Sequence, residues 1–169
     1  MTLADFRQVP WWQWLGFGAG VVAFGAMFLP WTELTAADPE VAEALRELPA
    51  GDVVRSAWNS GFFAWAAPVL LLLAGVVAVV FGRSRAARVN GLPHLWLVVA
   101  VLSLGLLVLG WWLIDWQFAE DQREVLLAGG VSIEPAIGRF LGLAAAAASV
   151  AGSVFDVRAA RAQYRGAKR

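Results

Sequence analysis

"FLPWTEL", residues 28–34, closes an uncharged apolar run that begins at Trp11 and sets Pro30, Trp31 and Glu33 almost side by side. Such a stretch marks a chemical site, a cleavage site or the end of a membrane span, and the choice decides the fold. Proline ends a regular helix. An indole is amphipathic and favours the headgroup layer, and a carboxylate belongs in water. The stretch therefore reads as a boundary: Phe28 and Leu29 at lipid depth, Trp31 at the headgroups, Glu33 in solvent.

Outward from this boundary the chain repeats the same pattern. Apolar runs cover about 11–30, 62–82 and 95–114, each with no internal charge. About 20 helical residues cross a hydrocarbon layer of ~30 Å, and none of the three has the polar face of a soluble core helix. A fourth run, 137–155, holds Arg139 and is dominated by Ala, Gly and Ser. It reads as a span sheltered by the other three, with an interfacial Ala-rich helix as the alternative. The whole chain of 169 residues is 60% hydrophobic and only 15% charged, with a mean hydropathy of +0.65. The expected fold is all-α: a single membrane domain, a four-helix bundle with a small helical cap outside the cytoplasm.

Orientation follows from the basic residues. Arg7, the loop 83–94 with Arg83, Arg85 and Arg88, and the tail 156–169 with Arg158, Arg161, Arg165, Lys168 and Arg169 fall on one side. Arg46, Arg55, Arg123 and Arg139 fall on the other. The positive-inside rule places both termini in the cytoplasm, in a multi-pass protein of the plasma (inner) membrane. The outer loops, 31–61 and 115–136, are acidic. In the first, Asp38 and Pro39 are helix-start signals, and a further start is read at Asp52. In the second, the third helix is expected to continue to Ala128, with Val125, Leu126 and Leu127 under the cap. A rival reading takes Arg7, the first run and "LTAAD" as a signal peptide cleaved after Ala36 or Ala37. It leaves three spans in the same orientation. The run is long for such a segment, and Trp11, Trp12 and Gln13 sit awkwardly in it.

Three sets of residues stand out. Small residues at helical spacing, Gly16 and Gly20 in the first span and Gly142, Ala146, Ser149, Gly152 and Ser153 in the fourth, are expected at packing faces. Trp11, Trp12, Trp31, Trp58, Trp96, Trp111, Trp112 and Trp116 are expected as interfacial anchors. Asp115 and Arg139 lie at outer membrane edges, where an unpaired charge is costly, and are expected to pair or to reach water separately. Asp156 is expected to contact Arg158 or the Arg83 loop.

Catalytic chemistry finds little support. There is no cysteine, so thiolate chemistry and disulfides are excluded. His94 is the sole histidine, with no carboxylate near it in sequence, so neither a triad nor a metal site is read. Phosphate loops, HExxH and GxSxG are absent. No catalytic, cofactor or metal residue is assigned, and no nucleic-acid motif accompanies the basic tail.

The first span ending in "FLPW", the polar outer loop, "SAWNSGFFAW" before the second span and the Ala/Val/Leu-rich later spans resemble small four-helix integral membrane proteins of high-GC actinobacteria. The resemblance implies topology and no activity. The outline is also similar to claudin-like four-helix proteins, without their cysteine pair. By elimination the expected role is an accessory or scaffolding subunit that engages another membrane or envelope protein, or itself, within the bilayer. The alternatives are a component of a small-molecule transporter or channel, and an interfacial lipid-modifying enzyme using Glu33, Asp38, Asp115 and Arg139.

Overall fold

The computed structural model describes residues 9–114 and 118–166, the side chain of Tyr164 excepted. In chain order the elements are α1 (Trp11–Ala26), β1 (Pro30–Ala36), α2 (Pro39–Glu47), α3 (Ala50–Val53), β2 (Val54–Ser56), a 3-10 turn (Ala57–Asn59), α4 (Phe62–Phe81), α5 (Arg85–Val89), α6 (Leu92–Trp112), α7 (Glu120–Ala128), β3 (Val131–Pro135) and α8 (Ile137–Gly166).

The four long helices close a ring: α1 packs on α4 and α8, and α6 packs on the same two. Among the described residues three helices are long and apolar enough to cross a membrane: Phe62–Phe81, Leu92–Trp112 and Ile137–Gln163. At 16 residues α1 is shorter, about 24 Å. Its end tightens through Met27, Phe28 and Leu29, whose N–H groups each reach back three residues at 3.2 Å. The chain then leaves the ring as a strand.

That strand corrects the all-α expectation. β1 is the centre of a three-stranded antiparallel sheet ordered β2-β1-β3. Pro30 opens the strand and does not merely end a helix. "TELT" and "VSIE" alternate polar with apolar or β-branched residues, the period of a half-buried strand. Against β3 the register sets Leu34 opposite Ile133 and Glu33 opposite Glu134. Against β2, Glu33 faces Val54. In "DVVRSAW", Asp52 and Val53 close the short helix α3, and a strand and a 3-10 turn follow where the helix was expected to run on.

Two other expectations need adjusting. α6 ends at Trp112, and α7 is a separate helix, stopped at Gly129 and at Gly130, whose φ of +73° suits glycine. Of its apolar residues only Leu126 packs inward, while Val125 and Leu127 are 72% and 63% exposed. α2 matches its start signals: Asp38 accepts a hydrogen bond from the Glu40 N–H at 2.9 Å, and Pro39 follows at N1.

Two apolar cores result. The ring holds Ala23, Ala67, Leu71, Ala100, Leu107 and Ala146, all essentially inaccessible. The sheet end has a small core of its own from Leu34, Leu45, Phe118 and Val131. Arg55 lays its guanidinium 4.1 Å from the centre of the Phe118 ring.

Candidate functional site

The chemistry-bearing groups gather at the two ends of the ring. At the sheet end β1 feeds Trp31 and Thr32 back into the ring, and α8 begins beside them. Trp31 is 1% exposed. Its indole lies where Gly138 and Gly142 have no side chain: a Cβ on Gly138 would collide with the ring, and one on Gly142 would come within 3.1 Å of it. Its Nε1 donates to the Ala26 carbonyl at 2.6 Å.

Arg139, between those glycines, is 2% exposed. Its Nε donates to the Trp31 carbonyl at 3.2 Å, Nη1 to the Gly110 carbonyl at 2.8 Å and Nη2 to Thr32 Oγ1 at 3.2 Å. Gly110 lies in the last turn of α6, where carbonyls lose their helical partners and carry the negative end of the helix dipole. The guanidinium therefore meets the partial negative charge of carbonyls, and it ties β1, α6 and α8 together. Asp115, its expected partner, lies outside the described residues. A cavity of about 30 Å³ adjoins the guanidinium, walled also by Ser60, Phe63 and Leu107.

At the opposite end the centre is Asp156, 2% exposed on α8. Its Oδ1 accepts from Trp12 Nε1 at 3.0 Å and Gln13 Nε2 at 3.2 Å, and it pairs with Arg88 Nη1 at 3.5 Å. Arg88 also donates to the Gly82 carbonyl at 3.1 Å. The arginine of the pair is thus on α5, in the loop that begins at Arg83, and not Arg158. Gln13 Oε1 and Arg88 Nε and Nη2 are buried without a hydrogen-bond partner among the described residues.

Trp96 occupies this half as Trp31 occupies the other. It is 2% exposed, its ring fills the space over Gly16 and Gly152, and its Nε1 donates to Ser149 Oγ at 3.3 Å. Trp31 and Trp96 are therefore not interfacial anchors. Each buried indole has a hydrogen-bond acceptor, which removes its need for the headgroup layer. Trp11, Trp58 and Trp112 are exposed, the last by 82%; Trp12 and Trp111 are half-buried. Trp116 lies outside the described residues.

Elsewhere the small residues sit at close approaches. A Cβ on Gly20 would fall 2.7 Å from Leu72 Cα, and Gly75, which sequence reading passed over, meets the Gly16–Phe17 backbone in the same way. α1 and α4 touch nearly backbone to backbone. Ala146 is fully buried, and Ser153 donates to the Val150 carbonyl at 2.7 Å. Ser103 Oγ, on α6, is buried without a partner among the described residues.

Sequence reading also missed the seats of the two tryptophans and the inward turn of Gln13. The spacing of Gly138 and Gly142 was the available signal, since a pair one helical turn apart leaves a slot for a ring. Among the described residues no three acids or histidines could hold a metal ion. No protein-family model, curated protein or solved structure matches the chain.

Proposed function

We propose that this chain is a four-span membrane protein, its termini and the Arg83–His94 loop cytoplasmic, its sheet and α2 outside, acting as an accessory or scaffolding subunit. The observation that carries the reading is the division of the ring. Polar groups form two separate clasps at its ends, and Ala23, Ala67, Leu71, Ala100, Leu107 and Ala146 fill the space between them, with Ser103 a single buried hydroxyl on α6. A solute pathway needs a polar lining joining the two ends. Outer-face catalysis needs convergent acids, and Glu33 stands on the exposed side of the sheet while Arg139 is covered by Trp31.

The four-span count draws support from the first helix and strand. α1 closes the ring and β1 is the central strand, so cleavage after Ala36 or Ala37 would remove both. The cap offers a surface to a partner: Leu48, Val125 and Leu127 are exposed beside Glu43, Glu47, Glu120 and Glu124. Isolated exposed apolar side chains are ordinary, but three on one small acidic cap suit a protein contact.

Crosslinking in native membranes tests the role. A photoreactive residue at Leu48, Val125 or Leu127 is expected to trap a discrete heavier species, identified by mass spectrometry. Recovery of monomer alone from all three positions overturns scaffolding.

A further inference from the structure

We propose that the cleft between the α2–α3 segment and α7 receives a cationic amphipathic segment of a partner protein: apolar side chains against Leu34, Leu48 and Val125, lysines or arginines against Asp52 and Asp121. This rests on, and deepens, the reading of the cap as a scaffolding surface outside the membrane.

The cleft has a volume of about 450 Å³, within the size of sites that hold ligands. Leu34 and Phe118 in its lining belong to the core of the sheet end, whereas Leu48 and Val125 are exposed. An apolar surface therefore runs from the core out to water. Two carboxylates flank it, Asp52 from α3 and Asp121 from the first turn of α7. Both residues are exposed, and neither carboxylate has a hydrogen bond or ion pair among the described residues. The other charged group of the lining, Arg55, is engaged, its guanidinium 4.1 Å from the centre of the Phe118 ring.

Charge selects the occupant. Over 31–61 and 118–136 the cap has ten acids and three arginines. A second copy would bring the same acids to the contact, and its basic loop, 83–94, lies at the opposite end of the ring. An anionic headgroup would be repelled. A bare cation would leave Leu48 and Val125 in water, and among the described residues no three acids or histidines could hold a metal ion. A polypeptide that carries apolar and basic side chains together meets both demands. Protein contacts set apolar groups at the centre and charges at the rim, opposite charges steer the encounter, and an amphipathic segment laid into a groove is a recurrent mode of recognition.

The test uses the full chain in phosphatidylcholine nanodiscs and a short fluorescent amphipathic peptide of leucine and lysine, with anisotropy read against empty nanodiscs. The expected result is saturable binding of one peptide per chain, weakened by salt, and none of the counterpart peptide with glutamate in place of lysine. Asp52→Asn with Asp121→Asn is expected to weaken binding about tenfold. Glu33→Gln with Glu134→Gln, an equal change of net charge placed on the sheet, is expected to change it by less than about twofold. Leu48→Ser with Val125→Ser is expected to weaken it about tenfold. No binding beyond empty nanodiscs, equal binding of the glutamate peptide, an equal loss in the sheet variant, or full displacement by spermine at equal positive charge overturns the proposal. A photoreactive residue at Val125 in native membranes separates this proposal from the scaffolding reading. The expected product is a trapped segment with an excess of basic residues, lost in Asp52→Asn with Asp121→Asn. A trapped segment without that excess, or trapping unchanged in that variant, defeats the cationic partner and leaves scaffolding standing. Monomer alone from Leu48, Val125 and Leu127 defeats both.

Discussion

Arg139 Nε donates to the carbonyl of Trp31 at 3.2 Å, across 108 residues of chain, and the arginine's Cζ lies 5.9 Å from the centre of the same residue's indole. One residue thus holds the other by its backbone and covers it with its ring. Removing the guanidinium would take one donor each from the carbonyls of Trp31 and Gly110 and the hydroxyl of Thr32, while the Trp31 carbonyl keeps the Ala136 N–H at 3.1 Å. Arg139→Met is expected to destabilise the protein by about 1–3 kcal/mol, measured by denaturant titration in detergent. Arg139→Lys should recover only part of this, because an ammonium lacks the planar fork that reaches three acceptors.

Gly138→Ala tests the seat of Trp31. The added methyl would meet the indole and stand 2.7 Å from the Pro30 carbonyl. Overpacking of this kind costs about 1–3 kcal/mol. The same substitution at Gly105, where nothing lies within 4 Å, is expected to be neutral or to stabilise by up to about 1 kcal/mol through helix propensity. The difference in Tm between the two variants is the measurement.

Asp156 holds three donors on one oxygen. Asp156→Leu leaves the half-buried Arg88 without its anion and is expected to cost about 3 kcal/mol. Asp156→Asn keeps an acceptor but loses the charge, with an expected cost of about 1–3 kcal/mol. The order Leu worse than Asn, read from unfolding in detergent, is what the geometry requires.

Ser103 gives the opposite sign. Its hydroxyl is buried with no partner among the described residues, so Ser103→Ala removes an unsatisfied group. Stability should be unchanged or rise by about 1 kcal/mol. A loss greater than that would mean the hydroxyl is hydrogen-bonded.

Glu33 and Glu134 stand opposite each other on the exposed face of the sheet. Like charges directly across a strand pair are unfavourable. Glu134→Thr is expected to stabilise by about 0.5 kcal/mol, visible as a higher Tm at low ionic strength and a smaller gain in salt, which screens the repulsion.

The apolar runs made the long helices legible, because an uncharged run of 20 residues has few other readings. The sheet was not, because β2 has three residues and β3 five, too short for alternation to stand out from a loop. Trp31 and Trp96 were misplaced for a different reason. An indole needs an apolar body and one acceptor, and both the headgroup layer and a packed core with a free carbonyl or hydroxyl provide them. Only the glycines facing each ring distinguish the cases. Arg139 was legible as a costly charge near the end of a helix. Its carbonyl acceptors were not, since the terminal carbonyls of α6 carry no sequence signature. The Arg88–Asp156 pair was half legible: the loop was anticipated, but which of its arginines turns inward depends on the fold of α5.

The position of β1 also sets a timetable. Its partner β3 is separated from it by α4, α6 and everything between, so during synthesis the central strand waits with one edge open until Val131–Pro135 has emerged. Non-local pairings of this kind form late. The clasps of Arg139 and Asp156 both depend on α8, which is made after the other three long helices. Until α8 arrives, the earlier helices have neither lock, and a chain truncated before Ile137 would expose a strand edge and an unfilled slot around Trp31 to quality-control proteases.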